Sequence, residues 1–221
     1  MAQLARPRYA GMSLPRGKRM HAIFPVYLFN ERPLWSIVFW ASWVAFFILV
    51  SWVQRRERNA ARGDNRDRGS KALIYIASAI GVAWAFAAPS LLPTAHIGLP
   101  PEPVFTTAMA LFWAGLILYN WSVLTLGANF RTSVQLLDGQ RLVTSGPYRL
   151  LRHPAYTGGI LLFAGIGLAT GNWISAVAAP LSVAIAYGWR IHVEEIALRE
   201  RFGAEFEAHR RRTWAVIPLI W

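Results

Sequence analysis

Two short polar segments carry the residue types that could do chemistry in a sequence otherwise dominated by apolar runs. The first, residues 142–159, reads LVTSGPYRLLRHPAYTGG. Gly146-Pro147 and His153-Pro154 interrupt regular structure there, because proline lacks an N–H and restricts the residue before it. Irregular backbone at membrane depth persists only where it is buried in protein or lines a polar cavity. Tyr148, Arg152, His153 and Tyr156 would supply donors and acceptors to such a cavity. The second segment, residues 192–212, reads HVEEIALRERFGAEFEAHRRR. Glu194, Leu198 and Arg201 share a helical face, and Glu195 and Arg199 stand at i, i+4. Carboxylates placed directly after an apolar span are costly unless paired or functional. Each segment also has a plain structural reading: a turn anchored at the interface by Arg and Tyr, and an amphipathic helix lying on the membrane with solvated ion pairs. Arg210-Arg211-Arg212 has the composition that meets anionic headgroups. The apolar stretch 213–221 beyond it is expected to fold back onto the bilayer, which would hold Arg212 near the mouth of the helices.

The elements that must position these residues are membrane spans. Of 221 residues, 55% are hydrophobic and only 15% charged, a balance foreign to a soluble domain of this size. Eleven Trp, many at the ends of apolar runs, suit the membrane–water boundary. Residues 34–53, 72–92 and a stretch within 103–127 are uncharged for about the twenty residues that cross a hydrocarbon core. The apolar run 158–188 is too long for one span and has Gly171-Asn172 at its centre. It predicts a hairpin of helix four (156–170) and helix five (173–192), with a separate polar helix after it. Gly158, Gly159, Gly165 and Gly167 would let the backbones approach closely. The expected fold is therefore all-α and integral to the membrane, with about five transmembrane helices, a helix 4–5 hairpin and a cytoplasmic C-terminal helix. A single domain over 34–221 follows a basic tail, 1–33.

The net charge of +12 does not form one soluble basic face, so anionic lipid is the expected partner and nucleic acid is not. Lys and Arg crowd the loop 54–71, the loop after the third span and the tail after the fifth, which places those segments in the cytoplasm. Five spans then put the basic tail with Arg6, Arg8, Arg16, Lys18 and Arg19 outside. A cleaved secretory signal is not expected from the N-terminal stretch. An Ala- and Arg-rich composition points to a GC-rich bacterial genome, and helical spans in a bacterial chain predict the inner membrane. Without Cys there is no thiolate nucleophile and no prenylation site on the chain itself. His21, His96, His153, His192 and His209 lack zinc-site spacing, so no metal is expected.

At both polar segments the chain resembles the isoprenylcysteine carboxyl methyltransferase family and the related membrane phospholipid methyltransferases. The resemblance rests on Gly146-Pro147-Tyr148, the R-H-P-x-Y-x-G of 152–158, Glu194-Glu195, the R-F-G of 201–203, and Arg212 followed by Pro218. It covers residues 123–221. It implies a five-helix enzyme that uses S-adenosylmethionine on its cytoplasmic side. Val143, Gly146, Pro147, Tyr148, His153, Pro154, Tyr156, Glu194 and Glu195 would form the cofactor site, with His153 at the methionyl end and a glutamate at the cationic part. Arg152, Glu195 and Arg212 would act in catalysis, the two arginines facing an acceptor carboxylate as guanidinium forks. The acceptor would be a lipid or isoprenoid drawn from the bilayer, methylated on a carboxyl oxygen. An amine acceptor would instead need Glu194 or Glu195 as a base. Phe206 and His209 depart from the family, where Tyr is common. Two other readings stay open on the sequence. One is an NAD(P)H-dependent membrane reductase of the sterol-reductase type, which also carries an R-H-P-like segment. The other is a non-enzymatic scaffold in which the same polar residues only join helices.

Overall fold

The computed structural model describes residues 33–58, 64–130, 135–136 and 141–218, so the basic tail lies, except for Pro33, outside the described residues. Its helices are α1 (Pro33–Arg58), α2 (Ser70–Leu91), α3 (Pro101–Leu126), α4 (Pro154–Ala169), α5 (Trp173–Phe202) and α6 (Ala204–Arg210). Four of them, α1, α2, α3 and α5, are long and apolar enough to cross a membrane, and α4 is a shorter apolar helix. Leu34, Ile37 and Ile48 on α1, Ile117 and Leu124 on α3, and Leu181 and Ile185 on α5 project outward, more than half exposed. Large apolar side chains exposed in this way on every long helix need lipid around them. Two two-residue strands, Asp64–Asn65 and Gln135–Leu136, pair antiparallel and join the two polar connections at one end of the helices.

The α4–α5 hairpin forms where the sequence places it. Gly171 takes a φ of 68°, and Asn172 caps α5 by accepting from the Ile174 and Ser175 N–H groups at 3.0 and 3.2 Å. The connection from α2 to α3 closes over this turn, with the Asn172 amide donating to the Leu92 carbonyl at 3.0 Å and the Ile97 N–H to Gly171 at 2.8 Å.

One boundary differs in a way that matters. Helix five does not stop at 192 ahead of a separate polar helix. It runs unbroken to Phe202, 30 residues, and is stopped by Gly203 with a φ of 49°. Nothing between His192 and Phe202 breaks a helix, and Glu, Arg, Leu and Ala favour one. At 1.5 Å per residue α5 is about 45 Å long and must leave a hydrocarbon core of about 30 Å, carrying Glu194 and Glu195 on its emerging turns. The helix after it is only the seven residues of α6.

The chain after α6 is also not laid on the bilayer as its apolar character suggests. Thr213, Ala215 and Val216 are buried. They run parallel to residues 150–153, with Trp214 N–H to Leu150 O at 3.1 Å, Arg152 N–H to Trp214 O at 2.8 Å and His153 N–H to Ala215 O at 3.0 Å. The irregular backbone before α4 must place its N–H and C=O groups somewhere, and this strap supplies the partners.

α3 and α4 meet through glycines. A Cβ on Gly158 would lie 2.7 Å from the Gly115 carbonyl oxygen, and one on Gly115 would lie 2.6 Å from the Leu162 nitrogen. The backbone of each helix occupies the space, so neither side chain can be accommodated by a rotamer change. Gly158→Ala should therefore destabilise the detergent-solubilised protein by about 1–3 kcal/mol. Gly98→Ala, where nothing lies within 4 Å, should leave the melting temperature unchanged. Equal melting temperatures for both variants would show that the two helices do not cross at this distance.

Candidate functional site

Two features of the local sequence build the site. Pro147 lies in the first turn of a 3-10 helix, Gly146–Arg149, and Pro154 starts α4, so residues 150–153 form a short irregular link between them. Arg152 and His153 project from that segment toward the emerging turns of α5. The Arg152 Nε donates to Glu195 Oε1 at 2.8 Å, while its Nη1 donates to the Arg210 carbonyl at 3.2 Å and to the Thr213 carbonyl. The His153 ring lies between the two glutamates, Nδ1 at 3.4 Å from Glu194 Oε2 and Nε2 at 3.4 Å from Glu195 Oε1. The second contact is an ion-pair distance without hydrogen-bond alignment, so the buried Nε2 has charge beside it and no aligned acceptor among the described residues.

Glu194 accepts from the Tyr156 hydroxyl at 2.8 Å and from Arg190 Nε at 3.1 Å. Tyr156 stacks on His153 and on Tyr187, with ring centroids 5.6 and 4.7 Å away. Glu195 also binds Arg199 at 3.0 Å, and Arg199 binds Glu207 of α6 at 2.8 Å. The i, i+4 pair of Glu195 and Arg199 is thus present as spaced. Burial by itself disfavours a charge on His153, but hydrogen bonds and attraction from Glu194 and Glu195 outweigh it and raise its pKa above the ordinary histidine value. His209 goes the other way, lowered by burial and by the positive Arg152 and His153. Burial and the Glu194 charge push the Tyr148 phenol up, so it stays a neutral donor.

These groups border a cavity of about 890 Å³ that extends from the polar end into the space between α1 and α2. Val143, Tyr148, Arg152, His153, Tyr156 and Glu194 line its wall, as do Phe206 and His209. The apolar remainder is lined by residues such as Trp43, Phe46, Ile74 and Phe163. Gly146, Pro147 and Pro154 are not on the wall but shape the turns that carry it. Glu195 sits behind the wall, holding Arg152 and His153. Arg212 is not brought to the cavity: it is exposed, at the turn that follows α6. Arg190, Asp67, Ser70 and Tyr187 join the site without having been singled out in the sequence. Arg190 had a readable signal, since it is a charge inside an apolar run and four residues before Glu194. Asp67 had none, standing in a loop read only for its basic residues. No cluster of His, Cys, Asp or Glu suited to a metal occurs among the described residues.

Fold and site together define a multi-pass membrane protein whose polar centre lies where its helices leave the apolar layer. Residues 104–205 match the phospholipid methyltransferase family profile. The rice protein named "Probable protein-S-isoprenylcysteine O-methyltransferase" (Oryza sativa subsp. indica) is 32% identical over 108 residues, 48% of this chain and 56% of that one. The protein-S-isoprenylcysteine O-methyltransferase of Homo sapiens is 33% identical over 116 residues, 52% of this chain and 41% of its own length. The chain spans about half the length of the curated relatives it matches. A solved eukaryotic intramembrane Ras methyltransferase, isoprenylcysteine carboxyl methyltransferase, shares the fold with a TM-score of 0.52 at 24% identity, over 66% of this chain and 52% of that one. Through its motif-bearing half the chain is similar to phospholipid methyltransferases and to isoprenylcysteine O-methyltransferases, the proteins its motifs resemble.

The raised pKa of His153 has a consequence for stability. A histidine whose pKa is higher folded than unfolded contributes stability fully below about pH 6.5, and the contribution is lost as pH rises through the folded value. The melting temperature of the wild type should therefore exceed that of His153→Gln most at pH 6, with the gap narrowing toward pH 9. A gap independent of pH would show that His153 is neutral in the fold.

Proposed function

We propose that the chain is an integral membrane methyltransferase that moves a methyl group from S-adenosylmethionine to a carboxylate of an isoprenyl or other lipid-like acceptor, on the cytoplasmic side of the membrane and, in a bacterium, of the inner membrane. The observation that carries this reading is a single cavity with a polar, charge-bearing end and a long apolar remainder among the membrane helices. Such a cavity suits one water-borne and one bilayer-borne reactant. The donor set fits S-adenosylmethionine: the buried His153 Nε2 has no aligned acceptor and suits a carboxylate, and Glu194 with the stacked Tyr156 and Tyr187 faces suits cationic groups. Val143 and Tyr148 complete that end. When bound, S-adenosylmethionine supplies an electrophilic methyl group on a sulfonium centre.

The chain's own residues contribute positioning and exclusion of water. A carboxylate acceptor already has a free electron pair and needs no general base, so orientation provides most of the acceleration. Lys71 and Arg141 support an anionic acceptor, since both line the cavity and neither forms an ion pair among the described residues. Arg152 adds a third cation to the wall while its Nε stays on Glu195. The match to phospholipid methyltransferases favours a second reading, transfer to a lipid amine. Glu194 and Glu195 would then have to accept a proton, but each is already held by an arginine and by His153, which makes a poor base.

Thermal stability in detergent tests the reading. S-adenosylmethionine and S-adenosylhomocysteine should each stabilise the protein, by about 2.7 kcal/mol at a hundredfold excess over Kd, and NADPH should not. Glu194→Gln should weaken S-adenosylhomocysteine by about tenfold or more, the loss of about 1.4 kcal/mol expected for one charged contact. Labelled methyl should appear on an S-prenylated cysteine carboxylate and not on phosphatidylethanolamine. Stabilisation by NADPH alone would replace the methyltransferase with a reductase, and stabilisation by none of the three would leave a scaffold.

A further inference from the structure

Arg190 is the largest fully buried side chain among the described residues, with 1% of its surface exposed, and the methyl transfer proposed above gives it no direct role. It reaches two places at once. Its Nε donates to Glu194 Oε1 and to the Tyr156 hydroxyl, each at 3.1 Å. Its Nη1 donates to Ser70 Oγ at 2.9 Å and to Asp67 Oδ1. Asp67 in turn organises the start of α2, accepting from Ser70 Oγ and from the Lys71 N–H at 3.1 Å each. The helix that begins there lines the cavity with Lys71, Ile74, Tyr75 and Ser78. A guanidinium can serve both ends because its planar fork presents several donors in fixed directions, which an ammonium cannot. Two carboxylates, Glu194 and Asp67, therefore share one buried cation, and the charge left for either depends on how the other is held.

We propose that Arg190 is a positioning residue that ties the start of α2 to the site, so that Asp67 in the α1–α2 connection controls how Glu194 and Tyr156 are presented to the methyl donor. If Asp67 weakens its hold, Arg190 is free to settle more closely on Glu194, which neutralises the group meant for a cationic part of the donor and draws the Tyr156 hydroxyl with it. The wall of the acceptor space and the donor end of the cavity are in this way mechanically one unit. The inference rests on the S-adenosylmethionine reading given above.

The experiment is calorimetric titration of the full-length, detergent-solubilised protein with S-adenosylhomocysteine. Asp67→Asn keeps the size and one acceptor oxygen of the side chain but removes its charge. It should weaken S-adenosylhomocysteine by about tenfold, the usual order for residues coupled through one shared partner. In a Glu194→Gln background the same substitution should change affinity less than twofold, because the group through which it acts is gone. Arg190→Lys, which keeps the charge and loses the fork, should weaken binding as Asp67→Asn does. Ser70→Ala removes the other acceptor at the same end and should act in the same direction by a smaller factor, which gives the answer should Asp67→Asn not be recovered folded. A purely structural role would lower the melting temperature in both backgrounds and leave the affinity of the folded protein unchanged. Unchanged affinity in Asp67→Asn and Ser70→Ala, or an equal loss with and without Glu194, overturns the coupling alone. A wild type that binds no S-adenosylhomocysteine overturns the donor reading and this inference with it.

Discussion

Charge held where water is scarce governs this structure. Glu194 and Glu195 emerge from a span on adjacent positions of α5 and share His153, while Glu195 also meets Arg152 from the segment before α4 and Glu194 meets Arg190 from one turn earlier on its own helix. Removing one member of a buried pair typically costs about 3–5 kcal/mol, because the other charge is left stranded. Arg152 and His153 must therefore be brought to α5, where Arg190 already stands, and the segment that carries them is fixed as a result. Arg152 and His153 fix the segment before α4, while Arg190 fixes the start of α2. The same compensation that makes these carboxylates tolerable also keeps Glu194 oriented toward the cavity.

The second constraint is backbone. Residues 150–153 are neither helix nor sheet, and their hydrogen bonds are completed by the strap of residues 213–216, which also offers the Thr213 carbonyl to Arg152 and the Val216 carbonyl to Thr157. A segment distant in sequence thus finishes the wall of the site. The glycines of α4 work to the same end. Gly158 and Gly165 let α4 lie against the backbone of α3, and Gly159 leaves room for the Tyr187 ring that stacks on Tyr156. Close helix packing within an apolar layer, where no hydrophobic force drives association, depends on small residues of this kind.

Conjunction of a polar end and an apolar remainder in one cavity sets this site apart from a surface binding site. The apolar part is bounded by α1 and α2, which precede the matched residues 104–205, together with α4, and the polar part by α4 and α5, which lie within them. Similarity to relatives therefore concentrates on the half that holds the charged network. Phe206 and His209, where the sequence resemblance would place tyrosines, both line the cavity.

Much of this was determined by the sequence alone. Long uncharged runs can only be spans, and a Gly-Asn pair amid one of them can only be a turn. Prolines at 147 and 154 dictated where regular structure stops, and two adjacent carboxylates at the end of a span demanded partners. These are local constraints, set by neighbours within a few residues. What only the tertiary structure decided was which partners answer the demand. Helix five continues through the charged segment because no local breaker stands there, a point its change of polarity obscured. Asp67 meets Arg190 from 123 residues away and the strap meets His153 from 62 residues away, since the carbonyl it uses is that of Ala215. Arg212, placed by motif beside the site, ends outside it. Pairings of that length follow from how the helices pack, and charge compensation in the packed state, not any spacing along the chain, selects them.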